Sequence, residues 1–325
     1  MPKKIEMIDK LLKTGMLLLL GASIALPAPA ASHAEEARVV KIYGKGSGLR
    51  GDWIKGIFRE GDRLLVSTPA GTDQYVPPDD RFHPYEPEAG FNGNRVTGIA
   101  EYGGKVYVAT DRALNVREGG KWTALDRFQQ VLHNEELLYS DGKSLYALAR
   151  VMFGGVLRYD GANWSVVTRG PGTGLMNNAT SLVTRGEEIF IGTTNNGLYH
   201  FNGKKWTVHG PETGLPAVWV TSLAASSEGV WVGTGNGLIL FEGGKFRKFT
   251  VENGLPSNKM SVLKVLNDKL FIGTMDGGVS VRSRIGFQNV TAREGLSDNR
   301  VEAIGTAGDG VWVGTVNGLN LLTIQ

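Results

Sequence analysis

Five residues of this chain stand at one position of a recurring local pattern, five places after the glycine of a Gly-Leu or Gly-Phe pair. They are Trp53, Arg95, Trp219, Lys259 and Arg300. A copy one residue shorter puts Asn178 at the nearest equivalent, and a degenerate copy aligns Glu135 there. Indole faces stack on sugar rings or aromatic side chains, and a guanidinium grips a carboxylate with two parallel hydrogen bonds. That mixture is suited to binding. Arg150 joins the candidates on different grounds: it stands where the other copies have Thr, ahead of a longer loop, Val151 to Gly155. Asn195, Asn196, Asn236, Asp276 and Asn317 lie in neighbouring turns, where Asn and Asp are ordinary turn formers.

Bond-breaking chemistry finds little support. Beyond the N-terminal segment the histidines are His83, His133, His200 and His209, and none sits in a His-x-His or His-x-x-Glu-His spacing. No Gly-x-Ser-x-Gly occurs. No catalytic residue, metal ligand or cofactor site is therefore assigned. A metal-dependent carbohydrate or lactone lyase or hydrolase is the alternative, since carboxylates can converge in space without any sequence spacing.

The elements that position these residues repeat. Val311-Trp312-Val313-Gly314-Thr315 is followed by Asn317-Gly318-Leu319, which reads as two antiparallel strands around a tight turn. Related stretches put small residues at Ser67, Ala109, Ala149, Gly192, Gly233, Gly273 and Gly314, with spacings of 42, 40, 43, 41, 40 and 41 residues. The run before each small residue is apolar at successive positions, the pattern of a strand buried on both faces. A period of about 40–45 residues with several short strands predicts a β-propeller. The expected architecture is all-β, with seven four-stranded blades. A small residue is expected where a side chain would hold neighbouring blades apart. The last copy ends before a fourth strand, and 38–43 precede the first Gly-Leu as a fourth strand would, so the N-terminal strand is expected to close the last blade. Such closure leaves no open edge between first and last blades.

The segments Gly254-Leu255-Pro256-Ser257-Asn258 and Gly295-Leu296-Ser297-Asp298-Asn299, each running on to an apolar strand and Gly-Thr, resemble the two-component regulator propeller repeat. The resemblance is strong over 174–325 and degraded over 38–150. It implies a sensor-type propeller of the kind found in the extracytoplasmic half of hybrid histidine kinases, here without a kinase region. The repeat motif is structural and brings no catalytic residues with it.

Residues 1–34 read as a signal peptide: Lys3, Lys4, Lys10 and Lys13, then an apolar stretch from Met16 to Leu26, then small residues ahead of a cleavage site. The propeller is expected over 35–325. The expected setting is export, periplasmic or extracellular. The chain has no cysteine, so disulfides cannot stabilise it. Without residues 1–34 the chain keeps 31 basic and 30 acidic residues, a balance that makes no electrostatic case for nucleic acid or an anionic membrane. The expected function is non-catalytic binding of a peptide, protein or glycan at the channel mouth. Gly71 to Gly90 breaks the pattern with a dense run of prolines and reads either as an irregular functional loop or as a divergent outer strand.

Overall fold

The computed structural model describes residues 36–125, 138–149, 155–167, 178–283, 286–308 and 310–324. The proposed signal peptide, Glu135 and Arg150 lie outside them. The described chain forms seven four-stranded antiparallel sheets. Six run in sequence order from inner strand A to outer strand D; in blade five these are Val220–Ala225, Val230–Thr234, Gly237–Glu242 and Lys245–Phe249. In the seventh sheet, Val301–Ala307, Gly310–Thr315 and Gly318–Ile324 are completed by Ala37–Tyr43, which pairs antiparallel with the last strand. The architecture is a seven-bladed β-propeller.

Strand B is the buried heart of each blade. Val66, Val108, Ile191, Val232, Ile272 and Val313 are fully buried, and so are their neighbours on the opposite face of the same strands, such as Leu65, Phe190 and Trp231. The small residue that follows is where the next blade docks. A Cβ on Gly192 would lie 2.4 Å from Val220, one on Gly273 2.7 Å from Val301, and one on Gly314 2.5 Å from Ile54. In each case the obstructing residue comes from the start of the next blade's strand A.

Two further sequence signals have local causes. The Thr after the small residue caps the B–C turn: the hydroxyls of Thr193, Thr234, Thr274 and Thr315 donate to the carbonyls of Gly197, Gly237, Gly278 and Gly318 at 2.7–3.0 Å. Only the glycine of each Asn-Gly pair takes positive φ, so the turn needs one left-handed residue. The Gly-Leu pair lies within the D–A loop: a short 3-10 turn closes on Gly48, Gly214, Gly254 or Gly295 in the left-handed region, and the following Leu is buried.

Strand A carries a feature that the sequence pattern hid. Its pairing to strand B shifts register between Val96 and Gly98, Ala179 and Ser181, Val220 and Ser222, Met260 and Val262, and Val301 and Ala303. Each shift inserts one extra residue, Thr97, Thr180, Thr221, Ser261 or Glu302.

The proline-rich segment is regular in this structure. Gly71–Val76 and Arg81–Pro84 are the outer two strands of blade one, joined by a turn at Pro77 to Asp80. Asp80 adopts φ 51° and accepts hydrogen bonds from the Tyr43 and Tyr75 hydroxyls, both at 2.8 Å, while pairing with Lys41. The segment thus fastens the N-terminal strand to blade one.

Aromatic clusters fill the seams between blades. Between blades four and five, His200 stacks on Phe190 at 4.3 Å and lies 2.8 Å from the Glu188 carboxylate. His209 packs on His200, Phe241 and Phe246, and its buried Nε2 has no hydrogen-bond partner among the described residues. Burial, with His200 adding to it, holds the His209 imidazole below its ordinary value of 6.5. A depressed histidine leaves the unfolded chain binding the extra proton, so its contribution is complete above that value and falls away as the pH drops below it. Wild-type stability should therefore fall as the pH is lowered through 6.5 and below it, and His209→Phe should lessen that fall. Urea unfolding of both proteins across the range checks this; equal slopes would exclude His209 as a cause.

Candidate channel-mouth site

The sequence-derived positions occupy equivalent points at the starts of the inner strands. The backbone carbonyls of Arg95, Asn178, Lys259 and Arg300 accept hydrogen bonds from Asp111, Thr194, Met275 and Val316, at 3.0, 2.9, 2.9 and 3.2 Å. Each donor is the residue after the turn-capping Thr. The D–A and B–C loops are thus tied together at the mouth, blade after blade.

Their side chains do different things. Trp53 and Trp219 are 41% and 45% exposed, high for the largest apolar side chains. Trp219 lies over the backbone of Gly235, where a Cβ would come within 3.1 Å of its ring. Lys259 forms an ion pair with Asp276 at 2.8 Å. That bond, joined by one from Ser257, holds the Asp276 carboxyl below the usual carboxylate range. Asn178 donates to Asn195 in the adjacent turn. Arg95 is half-buried, and its backbone N–H donates to Asp111.

A cavity of about 290 Å³ gathers part of this set. Trp219 and Arg300 line it with Lys55, Glu302 and Met275, as do the hydroxyl residues Thr180, Thr221 and Ser261. Trp53 is linked to it through Lys55, whose ammonium lies 4.1 Å from the indole centroid. Neither Arg95, Asn178 nor Lys259 lines this cavity. A second cavity of about 230 Å³ shares Thr180, Ser181 and Ser222 with the first and lies further along the inner strands.

Lys55 and Glu302 were missed from the sequence, yet a signal was present. Both stand two residues after a mouth position, after Trp53 and Arg300, at the place where other blades carry Thr97, Thr221 and Ser261, so a base and an acid there depart from the repeat. The Lys55 ammonium lies 3.1 Å from one Glu302 oxygen, and Arg300 Nε donates to the other at 2.7 Å. Among the described residues no group of three or more His, Asp or Glu side chains is arranged to hold a metal ion. No described helix is long and apolar enough to cross a membrane.

The class that the fold defines is a seven-bladed propeller. No family model matches the sequence, and no curated protein matches it. Solved structures do share its fold. One is the extracellular domain of the putative hybrid two component system BT3049 from B. thetaiotaomicron, with 20% identity and a TM-score of 0.67 over 88% of this chain and 42% of that one. Another is the extracellular domain of the putative hybrid two component system BT4673 from the same organism, with 17% identity and a TM-score of 0.63 over 88% and 39%. The chain thus spans less than half the length of these two. Over nearly the full length of both chains it is also similar to YCF48 bound to D1 peptide, with 11% identity and a TM-score of 0.59 over 93% and 99%. At these identities the likeness establishes the fold. The first two are extracellular domains of putative hybrid two component systems, the kind of protein whose propeller repeat the Gly-Leu segments resemble.

Proposed function

We propose that this chain is a non-catalytic binding propeller that takes its ligand at the channel mouth, as a sensing or scaffold component outside the cytoplasm. The observation that carries the reading is the pair of exposed indoles, Trp53 and Trp219, beside a cavity walled by Lys55, Glu302 and Arg300. Val218 and Val251, also exposed, lie on D–A loops of the same face, so apolar surface collects there. Trp and Arg on a concave surface are the residue types that dominate binding energy at interfaces. Support for an exported setting comes from the signal-like residues 1–34 and from the extracellular domains that share the fold. The peptide-bound structure in the same fold supports a peptide or protein ligand.

The test is a screen of peptide and glycan arrays with the wild type and the double variant Trp53→Ala, Trp219→Ala. Wild-type hits should weaken by at least about tenfold in the variant. The melting temperature should stay within about 5 °C, because neither ring is buried. An unfolded variant would show that the indoles are packing elements. Hits that persist unchanged would place binding elsewhere.

A further inference from the structure

Arg300 is more ordered than an exposed arginine needs to be. A guanidinium offers two edges, each able to present a pair of parallel N–H donors. Glu302 occupies the Nε side of Arg300 at 2.7 Å, and the terminal nitrogens have no partner among the described residues. The plane of the fork is therefore fixed while its outer edge stays open. Glu302 is itself held from the other side. Its second oxygen faces the Lys55 ammonium at 3.1 Å, and that ammonium rests 4.1 Å from the centroid of the Trp53 ring. Glu302 and Lys55 are 14% and 18% exposed, so the pair is largely shielded from water, whereas Arg300 is 55% exposed. The order runs from Trp53 through Lys55 and Glu302 to Arg300, two blades working as one brace.

Such a brace lowers the entropy lost when an arginine captures a planar anion. Two parallel N–H donors match the two oxygens of a carboxylate. The same cavity is lined by Trp219 and Met275, apolar residues beside the charged ones. We infer that, within the channel-mouth reading on which this rests, Arg300 is a preorganised receptor for a carboxylate carried on an apolar or ring-shaped body. The carboxylate meets the open edge of Arg300, and the body lies on Trp219. Glu302 and Lys55 are positioning residues. They touch no ligand and act through the orientation of the guanidinium.

Two sources supply that chemistry, a peptide-end carboxylate and a sugar acid, and titration calorimetry can separate them. One arm compares N-acetylphenylalanine with its amide; the other compares methyl glucuronide with methyl glucoside. The expected result is that at least one acid binds the wild type and that its neutral counterpart binds at least about tenfold more weakly. The arm showing the difference identifies the source. Arg300→Lys keeps the charge but loses the fork, and should bring the acid down to the level of its neutral counterpart. Glu302→Gln should weaken the acid and leave the neutral compound unchanged, and Glu302→Asp should restore part of the difference. A general loss of structure would lower both members of a pair together.

Failure of both acids to outbind their neutral counterparts overturns the inference, as does full acid affinity in Arg300→Lys. Full affinity in Glu302→Gln overturns the positioning role. An array ligand that depends on the two indoles but carries no carboxylate would leave the channel-mouth reading standing and remove this one alone.

Discussion

Replacing Gly314 with Val should leave little or no folded protein. An added Cβ would sit 2.5 and 2.8 Å from two carbons of Ile54, a fully buried residue at the start of blade one. The obstruction is a branched side chain at its root, so it cannot swing aside. The backbone is pinned as well, since the Ile54 N–H donates to the Thr315 carbonyl at 2.9 Å. Overpacking of this kind costs about 1–3 kcal/mol and more where nothing can give. Valine adds two further methyls in the same crevice. Gly273→Val should behave similarly, with its Cβ 2.6 Å from Val262 and 2.7 Å from Val301. Gly233→Val should be the mildest of the three. There the nearest atoms, the Met260 Cβ and the Thr221 hydroxyl, are 3.1 Å away, so the neighbours need give by only a few tenths of an ångström. Urea unfolding of the three variants should reproduce that order. Adding Ile54→Ala to Gly314→Val should recover part of the loss, because it removes the obstructing branch; a double variant no better than the single would show that the strain lies elsewhere.

The position of Gly314 was legible because blade contacts repeat. Seam after seam makes a similar demand, so a small residue, Gly, Ala or Ser, returns at a near-constant spacing, and a steric rule becomes a sequence period. The turn-capping Thr and the buried Leu after the left-handed Gly were visible for the same reason. What did not repeat stayed hidden. Lys55 and Glu302 stand at a place of the repeat where Thr97, Thr221 and Ser261 stand in other blades, so periodicity gave their charges no weight. The extra residue in strand A was invisible because a register shift leaves no composition signature. Asp80 was hidden by distance: its partner Tyr43 is 37 residues away, and a left-handed Asp after two prolines reads as loop chemistry. Of the mouth positions, Trp219 and Arg300 line one cavity, Trp53 joins it through Lys55, and Lys259 is engaged with Asp276.

Deleting residues 36–43 should destabilise the whole ring rather than one blade. These residues form the outer strand of blade seven, paired from Ala37 opposite Ile324 to Tyr43 opposite Leu319. Ala37 packs with the buried Val311 and Leu322, and Tyr43 is buried against Tyr75, Phe82 and Trp312, with ring centroids 5.4–5.9 Å apart. Tyr43 therefore belongs to blade seven by pairing and to blade one by packing. Its loss opens a cavity in the seam where the two ends of the chain meet. Removing a buried aromatic of this size costs about 3–5 kcal/mol, a large part of the stability of most domains. The deletion adds to that an exposed strand edge and an Asp80 carboxylate stripped of Tyr43 and Lys41. Tyr43→Phe separates the terms: it keeps the packing, gives up one hydrogen bond to Asp80, and should cost only about 1 kcal/mol. Tyr43→Ala should fall between that and the deletion. A synthetic peptide of sequence 36–43 should raise the melting temperature of the deleted protein in a concentration-dependent way, as a ligand of the folded state does. A deletion that unfolds like the full chain would mean that blade seven is stable with three strands and that the N-terminal strand contributes nothing to holding the ring shut.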